Sequence, residues 1–425
     1  MIFSEYILNI LRLFWNIIQN YCNYFGIYSE KFTFFLELKN KLCIFAKKLM
    51  TMIKRLIENK IFDALSKKKA AILMGARQTG KTTILHQLFD NKSDVLWLSG
   101  DDTDVQSILG NMTSSRWRTI IGQNNILIID EAQYIENIGI KLKLITDYLP
   151  EKQLIATGSS SFDLANKINE PLTGRKREIM LFPLSFAEMT DHHGLIEERR
   201  LLSHRLIFGC YPEVVSNSGN EKEILKELIN SYLYKDIFKW ERIRKPDKIV
   251  KLLQALAFQT GQLVSYNELG QICGLDSKTI EQYIILLEQS YIIFRLSSFN
   301  RNLRNELKNS RKIYFFDTGI RNALISNFNP VELRNDIGAL WENFMVAERI
   351  KKLHNDDIWA NSWFWRTQQQ QEIDYLEDSD GKISAYEFKW NPEAKIKKPN
   401  SFFDAYPDSS FKVVHRDNYE DFLLI

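Results

Sequence analysis

The sequence predicts an α/β protein: a parallel sheet covered by helices on both faces, then a winged helix-turn-helix, then a small second α/β domain. Three observations predict it. Between Met52 and Asp191, short apolar runs at 70–74, 95–98, 126–129 and 153–157 alternate with longer amphipathic stretches. Short, β-branched runs alternating with helices read as a buried parallel sheet. Near Pro246 the pattern changes to three helical stretches, 247–259, 266–273 and 276–289, followed by two strand-like runs, 291–294 and 312–316. Two helices meeting at a tight turn before a hairpin is the winged layout. From about Ile320, a helix near 338–351 leads into several strand-like stretches.

These shifts divide the chain into an N-terminal extension (1–51), the sheet domain (52–191), a largely helical lid or connector (192–245), the winged helix (246–316) and the C-terminal α/β domain (317–425). At about 150 residues per domain, a chain of 425 residues has room for roughly three. Hydrophobic residues at 45% and charged residues at 26% are ordinary for globular cores. A net charge of +3 excludes a strongly basic coat and leaves room for a local basic patch. The four cysteines, Cys22, Cys43, Cys210 and Cys273, form no CxxC pair. Zinc sites and disulfide frameworks are therefore not expected, and a reducing cytoplasm is.

Residues 1–50 are rich in Phe, Tyr, Ile and Leu, but Glu5 and Arg12 interrupt the first apolar run and no basic segment precedes it. Neither a signal peptide nor a spanning helix is expected. Ile7, Leu11, Phe14, Ile18 and Tyr21 recur at amphipathic-helix spacing. Packing on the protein, resting on a membrane surface, and a true start at Met50 or Met52 are the open readings.

The most specific motif is Gly75, Ala76, Arg77, Gln78, Thr79, Gly80, Lys81 and Thr82, continuing into Thr83. It fits G-x-x-x-x-G-K-[ST] between an apolar strand and a helix, which is the context the motif requires. Glycines let backbone amides curl around phosphates at a helix N-terminus. Lys81 would reach the β- and γ-phosphates of ATP, and the Thr82 hydroxyl would ligate Mg2+. The apolar run ending in Asp130 and Glu131 supplies the second element. Asp130 would hold the magnesium and Glu131 would polarise the attacking water. Thr157 and Ser159 are candidate γ-phosphate sensors, with a structural Ser/Thr turn as the alternative. Arg175 is a candidate arginine finger, in cis or from a neighbouring subunit, with a solvated basic loop as the alternative. The adjacent His192 and His193 lack partners at ligand spacing and read as surface residues.

Together, GARQTGKTT, LIIDEAQ, ATGSSS, the 172–175 stretch and LFPLSFAE (181–188) resemble prokaryotic AAA-type P-loop ATPases whose C-terminal half is a domain of unknown function. Further along, 211–215, 234–237 and the Gly338, Glu342, Asn343 pattern resemble the same family, so the likeness runs from about Met52 to Trp390. It implies an AAA-type ATP-binding domain. Cys210 departs from the glycine usual before the Tyr-Pro pair, which bears on a turn.

In the C-terminal domain, Asp374 is followed by Glu387 and Lys389. Side chains alternate along a strand, so Glu387 and Lys389 share a face, and a neighbouring strand would bring Asp374 beside them. Two carboxylates can hold magnesium while a lysine steadies an attacking water. This looks like the D…ExK core of the restriction-endonuclease-like superfamily, with Glu342 resembling its additional helical acid. A second Mg2+ site at Asp374 and Glu387, with Glu342 and Lys389, is therefore an expectation.

Six basic residues, Arg295, Arg301, Arg304, Lys308, Arg311 and Lys312, against Glu306, suggest a basic wing for DNA phosphates. Ser277, Lys278 and Gln282 on the third helix would approach a groove. Three functions are compatible with these residues: an ATPase switch, an ATP-gated nuclease, and a nucleotide-responsive DNA-binding regulator. A homo-oligomer is compatible with each.

Overall fold

In the computed structural model the four apolar runs become β1 (Ala70–Met74), β2 (Val95–Ser99), β3 (Ile126–Asp130) and β4 (Gln153–Gly158). The structure describes residues 53–158, 168, 171–233, 246–299, 310–367 and 369–425. The expectations for 1–51, Ser159, 234–237, Arg301, Arg304, Glu306 and Lys308 lie outside the described residues. Two compact units are distinguished, Met1–Lys54 and Arg55–Ile425, and every described strand and helix lies in the second.

A fifth strand, β5 (Lys176–Met180), was not expected, because its sequence KREIM carries three charges and little alternation. It is an edge strand, and the order is β2-β3-β4-β1-β5 with every pair parallel. Successive side chains leave opposite faces of a strand. Ala71 and Leu73 of β1 pack with α1 (Glu58–Ser66) and α2 (Lys81–Phe89), while Ile72 and Met74 pack on the other face. After β2 come α3 (Thr103–Ile108) and α4 (Ser114–Ile121), and after β3 comes α5 (Ile138–Tyr148). Trp117 of α4 and Leu142 of α5 fill the second face. Full burial of each such aliphatic or aromatic side chain contributes about 1.5–3 kcal/mol.

Helix α6 (Phe186–His193) opens with a reciprocal capping box between Ser185 and Glu188. It runs across the boundary expected after Asp191. The connector continues with α7 (Leu195–Phe208), α8 (Pro212–Ser216) and α9 (Glu221–Glu227). At its turn the glycine requirement falls on Gly209, at φ +73°, where a Cβ would meet Asp317 Oδ1 at 2.1 Å. The next residue, Cys210, is buried and donates its backbone N–H to Asp317 Oδ2 (2.7 Å). A cysteine is accommodated there because the left-handed backbone lies one residue earlier.

Helices α10 (Pro246–Phe258), α11 (Tyr266–Cys273) and α12 (Ser277–Gln289) follow. Gly274 ends α11 at φ +67°, and Asp276 caps α12 by accepting from Thr279 N (3.0 Å). Strands β6 (Ile293–Ser298) and β7 (Arg311–Phe315) then pair antiparallel. This hairpin is continuous with β8 (Asn361–Arg366), β9 (Glu372–Ser379), β10 (Lys382–Phe388) and β11 (Ser410–Val414) in a six-stranded sheet ordered β11-β10-β9-β8-β6-β7. The sheet thus crosses the boundary expected between 316 and 317.

Helix α13 (Thr318–Leu324) leads to the long α14 (Ile337–Asn355), with α15 (Asn400–Ala405) and α16 (Tyr419–Leu424) near the end. Trp341 and Met345 of α14 pack with Tyr314, Phe364 and Tyr375 of the sheet. Asn343 binds both Phe315 N and Phe315 O (2.8 Å each), satisfying the edge of β7 as another strand would.

The described basic residues of the expected wing are occupied internally. Arg295 binds Glu288, Arg311 lies over the Tyr266 ring, and Lys312 is buried. Of these three only Lys312, buried on the edge strand β7, is withdrawn from a phosphate, whereas Arg295 and Arg311 stay partly exposed.

Candidate nucleotide site and carboxylate cluster

The loop from Gly75 to Gly80 joins the carboxyl end of β1 to the amino end of α2, so its amides sit where a parallel sheet receives ligands. A Cβ on Gly75 would strike Leu181 O at 2.1 Å, and Gly80 turns the chain at φ +96°. Gln78 also lies in the left-handed region, at φ +59°. Thr79 Oγ1 donates to Ala76 O (2.8 Å), and Lys81 Nζ donates to Gly75 O (3.0 Å) and Ala76 O (2.9 Å). The ammonium therefore lies over the loop. Lys81, Thr82 and Thr83 begin α2, and Ala76 and Arg77 lie within the loop.

Strand β4 stands between β1 and β3, which puts Thr157 beside Asp130. Thr82 Oγ1 donates to Asp130 Oδ2 (2.9 Å), and Thr157 Oγ1 donates to Asp130 Oδ1. Glu131 N also donates to Thr157 Oγ1 (3.0 Å). The residue pair expected to hold magnesium is thus assembled, with a hydroxyl and a carboxylate oxygen in contact, a donor set suited to a hard cation. Glu131, just past the end of β3, adopts φ +49°, an uncommon conformation for a non-glycine residue. Gln133 Nε2 donates to Glu131 Oε2 and fixes that carboxylate.

Arg175 is elsewhere. Its carbonyl accepts from Ala70 N (2.9 Å) at the amino end of β1, the opposite end of a parallel sheet from the phosphate loop. Its side chain pairs with Asp147. A cis arginine finger at Arg175 is therefore corrected: five strand residues at about 3.3 Å each separate the two ends.

The sequence reading missed Arg55. It is buried and donates to Thr79 O (2.7 Å), Phe182 O (2.7 Å) and Glu188 Oε1 (2.9 Å). Burial raises the Glu188 carboxyl, but Arg55 and the backbone N–H groups of Ser185 and Leu56 outweigh it and hold it below the usual carboxylate range. No sequence spacing links Arg55 to Glu188. The same 181–188 segment reaches the C-terminal half: Phe182 packs on Phe316 and His354, Phe186 N donates to Glu348 Oε2 (2.6 Å), and Lys351 Nζ to Leu184 O (3.2 Å).

At the second cluster, Asp374, Glu387, Lys389 and Glu342 do come together. Lys389 Nζ lies 2.7 Å from Glu387 Oε1 and 3.9 Å from Asp374 Oδ2, which also accepts from Phe388 N (2.9 Å). The centre of the cluster is a residue not anticipated there. Lys312 Nζ, on β7, lies 2.9 Å from Glu342 Oε1, 2.6 Å from Glu372 Oε1 and 3.9 Å from Asp374 Oδ1. Tyr314, two residues on and so on the same face, donates to Glu342 Oε1 (2.6 Å). Burial pushes Glu342 up to about 7, opposed by Lys312 and reinforced by Asp374. Burial alone would lower Lys312, but Glu342, Asp374 and Glu372 raise it above the ordinary lysine value.

The Lys312 ammonium thus contacts one oxygen each of Glu342 and Glu372 and stands 3.9 Å from Asp374, while Glu387 pairs with Lys389. Among the described residues, no three or more His, Cys, Asp or Glu side chains are placed to hold a metal. Strand alternation puts Lys312 and Tyr314 on one face, but no local pattern shows that β7 joins the C-terminal sheet. His193, adjacent to His192, pairs with Glu198.

Residues 67–190 match the AAA domain family. Residues 199–331 and 337–423 match two domains of unknown function, DUF8612 and DUF4143. An uncharacterized protein of Mycobacterium tuberculosis is 26% identical over 341 residues, covering 79% of this chain and 73% of its own. An uncharacterized protein of Methanocaldococcus jannaschii is 23% identical over 412 residues, covering 87% and 90%. A Walker-type ATPase of Pyrococcus abyssi superposes with a TM-score of 0.46 at 15% identity, over 64% of this chain and 96% of that one. The family match places an AAA domain at residues 67–190, followed by the two domains of unknown function. Among the described residues no helix is long and apolar enough to cross a membrane.

Proposed function

We propose that this chain is a Mg2+-dependent AAA-type ATPase that hydrolyses ATP to ADP and phosphate and passes the nucleotide state to its C-terminal half. One observation carries the reading: Thr82, Asp130, Thr157 and Glu131 are gathered by hydrogen bonds beside a glycine-built loop that presents Lys81. Loop amides and Lys81 bind the phosphates, Thr82 and Asp130 hold the cation, and Glu131 orients the attacking water through a carboxylate steadied by Gln133. Magnesium, when bound, would neutralise charge on the phosphates. Thr157 reports the state of Asp130 to β4.

The 181–188 segment supports coupling, since it is braced by Arg55 against the phosphate loop and packs on α14. The C-terminal half is the output module. Helices α10–α12 followed by β6–β7 support a winged helix, and α14 with β8–β10 supports a restriction-endonuclease-like fold. A DNA partner, a homo-oligomer, a trans finger from Arg175 and a cytoplasmic location belong to the same reading. The ATP-gated nuclease is not favoured, because the Lys312 ammonium stands among Glu342, Glu372 and Asp374, beside the carboxylates that reading needs.

The test is phosphate release from purified full-length protein. Lys81→Ala should lower turnover by on the order of a hundredfold or more, since it removes the charge that cradles the γ-phosphate. Glu131→Gln should bind ATP and retain it unhydrolysed. Undiminished release from both variants would sink the proposal.

A further inference from the structure

The cluster around Lys312 brings together four carboxylates, Glu342, Glu372, Asp374 and Glu387, from one helix and two strands. Three cations face them: Lys312, Lys389 and Arg366, the last 3.0 Å from Glu372 Oε2. Such a gathering could await a divalent ion or be complete in itself. Its geometry decides between these. The Lys312 side chain is only 2% exposed and reaches three of the four carboxylates, while Phe364 lies beneath its ammonium at 5.5 Å. Both oxygens of Asp374 face a donor or cation, Lys312 on one side and Phe388 N with Lys389 on the other. Tyr314 takes the same oxygen of Glu342 that Lys312 does.

We propose that Lys312 is a built-in cation that closes the nuclease-like site, so that the C-terminal domain is a metal-free ion cluster locking the β6–β7 hairpin to α14 and β9. The backbone that carries Lys312 is fixed, and its side chain is buried. Its strand pairs with β6, and Phe315, three residues on, is held through both backbone groups by Asn343 of α14. A divalent ion entering between Glu342 and Asp374 would meet an ammonium within contact distance, a like-charge encounter in a buried setting. The domain would then recognise or dock rather than cleave. In Lys312→Met the stem keeps its length, the charge is gone, and the carboxylates become free to take a metal ion instead.

The inference rests on the cluster alone and is independent of ATP turnover, so it is tested without nucleotide. Binding of Mn2+ to full-length protein is counted by electron paramagnetic resonance, with melting temperature read in parallel. Wild type and Asp374→Asn should bind Mn2+ equally, because Asp374 offers wild type no metal site. Lys312→Met should gain one Mn2+ site, on the order of tenfold tighter or more than any wild-type binding there. It should also melt higher with Mn2+ than with chelator, because a ligand that binds only the folded state stabilises it. Both gains should vanish in Lys312→Met/Asp374→Asn. Loss of a Mn2+ ion from Asp374→Asn relative to wild type would overturn the proposal, as would a folded Lys312→Met that gains no site. Should Lys312→Met not fold, the comparison of wild type with Asp374→Asn still decides. Unchanged phosphate release by Asp374→Asn keeps this result separate from the ATPase reading.

Discussion

The phosphate loop and the C-terminal carboxylate cluster each place a lysine among oxygen acceptors, yet they use the charge in opposite ways. Lys81 is held by two backbone carbonyls, Gly75 O and Ala76 O, which are neutral. A phosphate, being charged, binds an ammonium more strongly than such carbonyls do. Lys312 is held by ionisable carboxylates within a sheet, and an incoming metal would have to break those pairs. The first site presents its charge, whereas the second consumes it internally. A motif match does not reveal this difference, because residue type and spacing are satisfied in both places.

The largest effect that sharpens the comparison is expected at Arg55. It joins the phosphate loop to Glu188 through a pair in which both side chains are almost fully buried. Arg55→Met should cost about 3–5 kcal/mol in urea unfolding, because it leaves the Glu188 carboxylate buried without its partner. Turnover should fall with it, as Thr79 O loses its brace. A loss below about 1 kcal/mol would mean that the loop is held by its own hydrogen bonds, and would weaken the proposed link to the C-terminal half.

A smaller effect concerns pH at the cluster. The folded-state value of Glu342 is raised from 4.5 to about 7, with burial as the first cause. A raised value means that the folded state binds the proton more tightly than the unfolded state. The corresponding stability is fully present below 4.5 and is lost as pH rises through about 7. Melting curves of wild type and Glu342→Gln between pH 4 and 8, spanning the ordinary glutamate value of 4.5, should show wild type losing ground as pH rises. The opposite slope would mean that attraction to Lys312 outweighs burial.

The smallest effect is expected at Arg175, whose pair with Asp147 is solvent-exposed at the far end of the sheet. Arg175→Ala should change stability by less than about 1 kcal/mol and leave single-chain turnover nearly unchanged. An arginine finger contributes a factor of about 10³–10⁵, so a collapse of turnover would put a neighbouring subunit's Arg175 in the site.

The nucleotide site was legible because its determinants are local. The loop, its flanking strand and the helix start are contiguous from Ala70 to Thr83, and Asp130 with Glu131 ends its own apolar run. Strand β5 was not legible, since an edge strand with a charged sequence needs no alternating pattern. Arg55 was not legible either, because its partners Thr79, Phe182 and Glu188 lie 24 to 133 positions away.

Residue order alone thus specifies the phosphate-binding loop, the apolar strand that ends in Asp130 and Glu131, and the shared face of Glu387 and Lys389 from period-two alternation. These depend on φ/ψ needs and periodicity over a few residues. Long-range packing settled the rest: Arg175 faces away from the loop, Arg55 braces it, and Lys312 fills the carboxylate cluster. Which strand becomes whose neighbour is set by burial of whole faces across the sheet, and no local pattern encodes it. For Lys312, that choice of neighbours separates a site open to a ligand from one already complete.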